Sequence, residues 1–386
     1  MRKLGVAILG TGAIARTHIA AYKRLDEHFE IRALCDMFPD KATTLASDTQ
    51  LSAEIYTDYH DMLNRSDIDI FSICLPPGVH AESAIAAMNA GKHVLVEKPM
   101  ACSLEECDEM IEAAKRNHVL LSPVAQNRFK TPMMKVKQML DAQVGGKVLH
   151  AMVNSLWWRG SNYYDIWWRG TWEKECGGCT TSHAVHHLDL MQWMIGMPTE
   201  VQAVITNVGH DNSECEDLTI AILKYPGMLA QMTASIVTHD ESQELVFQTE
   251  KARLSIPWNV RASKALENGF PEANTCVEQE LQAYYDALPN LPVEGHLAQV
   301  ENFLNAIKGK EALLIDGQQG RNTIELIMAI YKASTIKAPV VLPIAKDDVF
   351  YTRTGLVTTM PHFHEKTRSI DNFSTTKITL GRDVGK

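Results

Sequence analysis

The sequence lacks the features that define several classes of protein. It has no apolar run of about 18 residues, the length that a membrane-spanning helix needs, and no secretory leader pattern surrounds the short apolar stretch Gly5–Leu9. Excess positive charge is also absent, because 37 Lys and Arg stand against 47 Asp and Glu, a net charge of −10 at pH 7. This balance disfavours nucleic acid and anionic membranes as partners. We therefore expect a cytoplasmic protein.

Cysteine is too scarce and too scattered to form a disulfide framework. In a chain of 386 residues we expect the eight cysteines to be reduced thiols. What the composition does provide is 45% hydrophobic and 22% charged residues, which is typical of a globular protein with enough apolar material for two cores. The length predicts two or three domains.

The first 125 residues alternate short runs of Val, Ile and Leu with segments of helical periodicity. This alternation predicts a doubly wound α/β domain, with a parallel sheet between two layers of helices. The predicted strands are Leu4–Leu9, Ile31–Cys35, Ile68–Ile73, His93–Val96 and Val119–Val124.

Residues 126–345 form a second predicted α/β domain, in which strands follow one another closely and helices flank them. The pattern predicts an antiparallel or mixed sheet. Its predicted strands are Val201–Val208, Leu218–Lys224, Met228–Ile236, Glu244–Thr249 and Ala252–Ile256, and its helices are Pro132–Ala142, Thr180–Ile195, Glu278–Ala287, Leu297–Lys308 and Gly317–Ser334. Residues 346–386 form a polar tail, either an arm that packs on a partner subunit or a disordered end.

A glycine-rich turn follows the first predicted strand. Gly10 permits the tight turn, Gly12 lets the backbone approach a pyrophosphate, and Ala15 lets the next helix pack on the strand. Asp36 lies at the end of the second predicted strand, where a carboxylate accepts both ribose hydroxyls of adenosine and repels a 2′-phosphate. The pattern predicts an NAD site and makes NADP the less favoured cofactor, although Lys41 nearby weakens this discrimination.

Two further segments carry a family resemblance. Residues 74–80 read Cys-Leu-Pro-Pro-Gly-Val-His, and residues 91–99 read Gly-Lys-His-Val-Leu-Val-Glu-Lys-Pro. Together with the glycine turn they closely resemble the Gfo/Idh/MocA family, the relatives of glucose–fructose oxidoreductase and inositol dehydrogenase. The resemblance extends to about residue 345 and includes Gln126–Phe129, His186–Asp189 and Phe303–Pro343.

This resemblance implies a Rossmann domain, a C-terminal α/β domain with a large open sheet, and a homodimer or homotetramer formed through that sheet. It also implies NAD(P)-linked oxidation of a ring hydroxyl on a sugar, sugar derivative or cyclitol. The implied cofactor contacts are Gly10, Gly12, Ala13, Ile14, Asp36, Pro76, His80, Glu97, Lys98, Gln126 and Arg169. The implied catalytic residues are His186 as general base and Lys98, which polarises the substrate oxygen, with no metal ion.

The residues around Lys98 and His186 agree with the family pattern in one respect and differ from it in another. Lys98 ends a parallel strand, so it points into the crevice where such sheets bind ligands. Asp189, three residues after His186, is placed to hold that imidazole in one tautomer. Many family members carry Asp or Asn four residues before the catalytic His, where this chain has Ser182. A hydroxyl cannot act as a carboxylate base, which indicates a different ring or a different proton relay.

Two histidines and two cysteines near this position leave alternatives open. His183 and His187 share one broad helix face with His186, and either is a candidate for a substrate contact or a proton relay. Cys176 and Cys179 precede them with the spacing C-x2-C-x3-H-x3-H, which is also compatible with zinc. The glycine pair between the cysteines matches one that the family keeps without metal, so we expect no metal ion.

Tryptophan is crowded into one region of the chain. Six of the seven tryptophans lie between residues 157 and 193, interleaved with Tyr163 and Tyr164. Aromatic faces stack on the C–H faces of sugars, so residues such as Trp168 and Tyr164 are candidates for a carbohydrate pocket. The alternative is that the cluster fills a domain or subunit interface.

Three functions remain after these observations. The first is an NAD-dependent dehydrogenase of a sugar, sugar derivative or cyclitol. The second is a family enzyme that oxidises a ring carbon transiently to permit glycosidic cleavage and then returns the hydride. The third is a non-catalytic NAD-binding sensor, which the intact Glu97-Lys98-Pro99 segment and His186 argue against.

Overall fold

Aliphatic runs in the first part of the chain form a parallel sheet, as the sequence predicts. In the computed structural model, which describes residues 2–373, six parallel strands lie in the order β3-β2-β1-β4-β5-β6. They are β1 (Leu4–Leu9), β2 (Phe29–Cys35), β3 (Glu54–Tyr56), β4 (Ile70–Ile73), β5 (His93–Val96) and β6 (Leu121–Pro123). The predicted doubly wound domain is confirmed. The strand β3 was not predicted, because this short edge strand is not buried and has no aliphatic run.

Four helices connect these strands and place their N-termini at the carboxyl edge of the sheet. They are α1 (Ala13–Arg24), α2 (Pro39–Asp48), α3 (His80–Asn89) and α4 (Leu104–Arg116). Ser103 starts α4 by accepting the Glu106 N–H at 3.2 Å, while the Glu106 carboxylate accepts the Cys102 N–H at 2.8 Å. This reciprocal bonding fixes the segment that follows Lys98.

The second sheet is mixed and, within the described residues, has eight strands in the order β13-β12-β11-β7-β10-β9-β8-β16. Its strands, with a separate hairpin of β14 and β15, are β7 (Val148–Trp158), β8 (Glu200–Thr206), β9 (Leu218–Tyr225), β10 (Met228–Ser235), β11 (Val237–Thr249), β12 (Arg253–Ile256), β13 (Asn259–Arg261), β14 (Ser263–Ala265), β15 (Pro271–Ala273) and β16 (Val340–Val341). The strand β7 pairs in parallel with β10 and antiparallel with β11. It was missed because His150, Asn154 and Ser155 interrupt its apolar pattern.

Helices cover one face of this sheet. The helices of the second part of the chain are α5 (Thr131–Asp141), α6 (Val185–Ile195), α7 (Thr275–Ala287), α8 (Gly295–Ile307), α9 (Gly317–Ile336) and α10 (Arg353–Thr359), and a π-helix (Thr180–Ala184) precedes α6. The helices α6 and α9 pack on each other and on β7 and β8. The opposite face is open and exposes Val204, Ile220, Ile222 and Leu229.

Helix α8 returns to the first domain. Its buried residues Val300, Phe303 and Leu304 join the core around Ile8 and Ile19 of β1 and α1. The predicted domain boundary at residue 125 assigned α8 to the second domain only. None of the helices in residues 2–373 has the length and apolar character required to cross a membrane.

The described part of the tail packs on its own chain. Phe350 and Leu356 are buried, Arg353 donates to the Gly78 carbonyl at 2.7 Å, and Ile370 pairs with Ile166. Residues 346–373 therefore pack against the rest of their own chain, and a contact of this segment with a partner subunit stays a prediction. Residues 374–386 lie outside the described part.

Candidate active site

The glycine turn after β1 builds an open helix N-terminus. Gly10 has φ +85°, and a Cβ there would lie 2.5 Å from the Cys74 carbonyl oxygen, so only glycine fits. Gly12 caps α1 without a side-chain bond, and among the described residues no atom lies within 4 Å of where its Cβ would be. The first N–H groups of α1, at Ala13 and Ile14, are thus accessible to a phosphate.

Asp36 is held at the edge of this turn. One of its carboxylate oxygens accepts the Thr11 N–H at 2.8 Å and the Thr11 hydroxyl at 2.7 Å, and the other accepts the Phe38 N–H at 3.0 Å. These bonds orient the carboxylate beside the place where Gly12 leaves room for a pyrophosphate. The contact of Asp36 with the adenosine ribose stays a prediction.

His80 connects two loops of the site. Its ring is fully buried, with Nε2 2.7 Å from the Leu75 carbonyl and Nδ1 2.8 Å from the Pro99 carbonyl. Burial lowers the pKa of His80, and a neutral imidazole has a single N–H, so one of these two contacts is a hydrogen bond that the ring donates. His80 thus holds the Leu75-Pro76 turn against the Lys98-Pro99 segment, and its direct contact with the cofactor stays a prediction.

Glu97 is buried among two histidines that the sequence analysis did not identify. Its Oε1 bonds His18 Nε2 at 2.9 Å and lies 3.7 Å from His296 Nε2, and its Oε2 accepts the Lys98 N–H at 3.1 Å. Burial alone would raise the pKa of Glu97, but His18 and His296 lower it well below its ordinary value. The signal for His18 was a lone His on the buried face of α1, whereas nothing in the sequence connects His296 with Glu97.

This same trio is the group in residues 2–373 whose ligand atoms lie close enough to hold a metal ion, all within 4.8 Å. The direct bond between His18 and Glu97 already satisfies both side chains, and Ser72 lies 2.8 Å from the other ring nitrogen of His18. The arrangement fixes the carboxylate that precedes Lys98.

Lys98 and His186 line the same cavity in the cleft between the domains. The Lys98 ammonium donates to the Ser182 carbonyl at 3.0 Å. Burial lowers the pKa of Lys98, against the opposing effect of Glu97. Burial, and next the charge of Lys98, lower the pKa of His186 well below its ordinary value, so its imidazole is neutral at pH 7 and is able to accept a proton.

Asp189 does not have the role that the sequence predicted. Its two carboxylate oxygens accept bonds from the Arg128 guanidinium at 2.8 and 2.7 Å, and Thr323 donates to it at 3.2 Å. A buried guanidinium offers Asp189 two parallel bonds, which a single imidazole cannot match. Asp189 therefore braces α6 against the loop before α5 and leaves His186 to be positioned by its burial.

The π-helix places Ser182 and His183 beside Lys98. The Ser182 hydroxyl lies 2.7 Å from the Gly178 carbonyl and 2.8 Å from His183 Nδ1. The His183 ring faces Trp157, at 5.7 Å between centroids. His187, by contrast, is buried with its Nδ1 unpartnered among the described residues, and burial lowers its pKa to about 4. It packs beneath the site.

Arg169 lies among aromatic and acidic side chains that form one wall of the cleft. Its guanidinium donates to Glu175 at 2.6 Å and lies 4.1 Å from the Tyr163 ring and 4.2 Å from the Trp168 ring. Burial raises the pKa of Glu175. Trp168 is therefore part of this wall. Tyr164 is fully buried, and its contact with substrate stays a prediction.

Cys176 and Cys179 do not form a zinc site with His183 and His187, the alternative that their spacing left open. Cys176 is joined to Cys102 in a disulfide, with their Cα atoms 5.1 Å apart. The Cys179 thiol lies 3.7 Å from the Ala234 carbonyl. The expectation that all cysteines are reduced is wrong for this pair, because folding brings together two loops that are 74 residues apart in the chain.

The residues at the mouth of the cleft fit a dinucleotide. Gly12 leaves an open cradle at the start of α1, and Gln126 has a buried side-chain oxygen without a hydrogen-bond partner in the described chain. A buried orphan acceptor costs free energy unless a ligand donates to it. A Rossmann sheet, an uncapped helix start and a Lys–His pair in the adjoining cleft together define an NAD-binding oxidoreductase.

Comparison with known proteins identifies the family. The model of the "Oxidoreductase family, NAD-binding Rossmann fold" matches residues 4–124, and that of the GFO/IDH/MocA C-terminal domain matches residues 133–255. The chain therefore belongs to the Gfo/Idh/MocA family of oxidoreductases. This confirms the resemblance, the fold class and the NAD-binding domain that the sequence predicted.

Relatives of known activity are distant. Inositol 2-dehydrogenase of Salmonella typhimurium is 26% identical over 193 residues, which cover 50% of this chain and 54% of the relative. The chain thus spans about half the length of the first curated relatives it matches. D-glucoside 3-dehydrogenase of Escherichia coli is 24% identical over 352 residues, covering 86% and 95% of the two chains.

The fold is shared with solved dehydrogenases. The WlbA dehydrogenase from Bordetella pertussis, solved with NADH and UDP-GlcNAcA, superposes with a TM-score of 0.78 at 25% identity, covering 89% of this chain and 99% of that one. The levoglucosan dehydrogenase structure, at 18% identity and a TM-score of 0.74, shows the same fold.

Proposed function

We propose that the protein oxidises a secondary ring hydroxyl of a sugar, sugar derivative or cyclitol, with NAD as hydride acceptor. The observation that carries the proposal is that the half-buried pair Lys98 and His186 lines one cavity. The relatives named as inositol 2-dehydrogenase and D-glucoside 3-dehydrogenase, and the UDP-sugar bound to the WlbA dehydrogenase, support this substrate class.

NAD, when bound, supplies the acceptor for the hydride of the substrate carbon. The residues of the chain accept the hydroxyl proton and stabilise the substrate oxygen. His186 accepts the hydroxyl proton on its neutral imidazole as the C–O bond becomes a carbonyl. The Lys98 ammonium, steadied by the Ser182 carbonyl at 3.0 Å, donates a hydrogen bond to the substrate oxygen and stabilises its developing negative charge. Glu97 keeps the Lys98 backbone in place through its bond to the amide.

The proposed cofactor contacts follow from the described geometry. The start of α1 at Gly12, Ala13 and Ile14 receives the pyrophosphate, and Asp36 receives the adenosine ribose. Gln126 offers its unpartnered oxygen to a donor on the cofactor. Pro76, in the turn that follows β4, and Arg169 are the further proposed cofactor contacts.

A screen of sugars and cyclitols for NAD reduction tests the function. We expect NADH to accumulate in proportion to oxidised product. Product release without net NADH would instead favour transient ring oxidation.

Lys98→Ala tests the site. We expect kcat to fall by at least about a hundredfold, while the Kd for NAD stays within about twofold, because the cofactor contacts remain. Lys115→Ala, which removes an exposed lysine of α4, is the matched control. A Lys98→Ala protein as active as this control would refute the assignment.

We also propose that the protein forms a homodimer or homotetramer through the open face of its second sheet. Ile220 and Ile222 point from β9 to that face with 54% and 49% of their surface exposed, and Val204 of β8 lies opposite Ile220 with 69% exposed. Contiguous apolar side chains on a sheet face are characteristic of a protein interface.

A further inference from the structure

His183 occupies the aromatic end of the cleft. It is 7% exposed, and its ring lies 5.7 Å from the centroids of both Trp157 and Tyr163. The guanidinium of Arg159 lies 5.5 Å from the Trp157 ring, and that of Arg169 lies 4.1 Å from the Tyr163 ring. His183 therefore lies among hydrogen-bond donors and aromatic faces, the surroundings in which a ring hydroxyl would be held.

The hydrogen bonds of Ser182 assign the tautomer of His183. The Ser182 hydroxyl has one proton and two close neighbours, the Gly178 carbonyl at 2.7 Å and His183 Nδ1 at 2.8 Å. A carbonyl only accepts, so the hydroxyl proton must point to Gly178 if that short contact is to contain a proton. His183 Nδ1 then carries a proton and donates to Ser182, which leaves Nε2 with a lone pair.

The charges around His183 keep this lone pair available. Burial, followed by the positive charges of Arg159, Lys98 and Arg169, lowers the pKa of His183 well below its ordinary value. Glu175 and Glu241, the nearby acids, are each bonded to an arginine. Among these donors, Nε2 of His183 is an unprotonated acceptor.

We propose that His183 is a specificity-determining residue whose Nε2 accepts a hydrogen bond from a second hydroxyl of the substrate, next to the hydroxyl that reacts at Lys98 and His186. The inference rests on the proposed function. In this assignment His183 contacts the substrate, and Ser182 is the positioning residue that sets the tautomer of His183. The protein would therefore discriminate against substrates that lack this second hydroxyl, because a donor-rich pocket rejects an analogue that leaves its acceptor unpaired.

Binding to the wild-type NADH complex tests this role without requiring turnover. D-Glucose, D-galactose, D-glucuronate and myo-inositol are titrated by calorimetry, followed by the monodeoxy analogues of the tightest binder. His183→Phe keeps a ring between Trp157 and Tyr163 but removes the acceptor, and His183→Gln restores an acceptor near the Nε2 position. The matched control is His239→Phe, since His239 stacks on the neighbouring Trp158 at 5.5 Å and is exposed.

We expect one monodeoxy analogue to bind wild type about tenfold or more weakly than its parent. His183→Phe should weaken the parent by that factor and leave the analogue unchanged, so that the ratio of the two Kd values falls to about one. His183→Gln should recover part of the ratio, and His239→Phe should keep all of it. Equal melting temperatures and NADH affinities establish that the variants are folded.

Retention of the full ratio in His183→Phe, an equal loss for parent and analogue, or no binding of any of the four compounds overturns the role of His183. Failure of the proposed function would give a different experimental result. In that case the compounds bind with a His183-dependent ratio, yet wild type forms no NADH from them.

Discussion

Burial has opposite chemical consequences for the two catalytic side chains. It is the largest influence on both Lys98 and His186, and it lowers the pKa of each. The ordinary pKa is 10.5 for Lys98 and 6.5 for His186, so lowering both leaves His186 neutral at pH 7 and Lys98 the side chain with the higher starting pKa. One physical cause therefore separates a hydrogen-bond donor from a proton acceptor.

The pH profile of kcat/KM follows from these directions. Activity should rise as pH increases through the lowered pKa of His186 and reach its plateau below pH 6.5. It should fall again below pH 10.5, as Lys98 loses its proton. His186→Asn should remove the acid limb. An acid limb centred above pH 6.5 in wild type would contradict the assignment of His186 as base.

The preference for NAD over NADP is predicted to depend on the single residue Asp36. Asp36→Ala should lower the preference for NAD over NADP by about tenfold or more, because it removes both the ribose acceptor and the repulsion of a 2′-phosphate. The measurement is the ratio of kcat/KM values with the two cofactors. Asp40→Ala, at the exposed start of α2, is the control and should leave this ratio unchanged. A wild type that prefers NADP would show that Asp36 has been misinterpreted.

At the scale of elements, the site depends on how the π-helix begins. A Cβ on Gly178 would lie 1.8 Å from the Glu216 backbone oxygen, and Gly177 has φ +139°. The buried Glu216 carboxylate accepts the Gly178 and Thr180 N–H groups at 3.0 and 2.9 Å. Glu216, which the sequence analysis missed, therefore anchors the turn that delivers Ser182 and His183 to the cleft.

Glu216→Gln tests this anchor. One acceptor oxygen becomes an NH2 group that faces backbone donors, so the free energy of unfolding should fall by about 1–3 kcal/mol. Urea unfolding measures the loss. Glu272→Gln, whose side chain is 46% exposed beside Lys264, should change stability by less than about 0.5 kcal/mol. Equal stabilities of the two variants would show that Glu216 is not an anchor.

At the scale of the whole molecule, late segments of the chain tie the two domains together. Helix α8 completes the core of the Rossmann domain, and Arg353 of α10 bonds the Gly78 carbonyl at 2.7 Å and Glu106 at 3.3 Å. Both contacts lie close to the loops that surround Lys98. The cleft is thus formed by segments from both ends of the chain.

The open sheet face gives a prediction about assembly. The double variant Ile220→Lys with Ile222→Lys should shift the protein to monomers, because two charges on an apolar interface lose their hydration on association. Light scattering coupled to gel filtration measures the mass. Phe270→Lys, on the β14–β15 hairpin with 68% of Phe270 exposed, should leave the oligomer intact. An unchanged mass in the double variant would exclude this face as the interface.

Local sequence patterns determined much of the fold and the outline of the site. The glycine turn, Asp36 and the strand that ends at Lys98 were readable because each depends on a few neighbouring residues, namely a turn, a strand end and a helix start. The helix that contains His186 was also readable, although its first turn is a π-helix. The strands β3 and β7 were not, because an exposed edge strand and a strand with polar residues both lack the aliphatic signal.

The sequence by itself determined the class of protein: a Rossmann domain with an NAD turn, and a strand-end lysine with a helix histidine. Only the tertiary structure decided which partners these residues have. Arg128 and Asp189 are 61 residues apart in the chain, and His18 and Glu97 are 79 apart. Such pairs leave no local pattern, because burial selects whichever charged or polar group completes the hydrogen bonds of its neighbour.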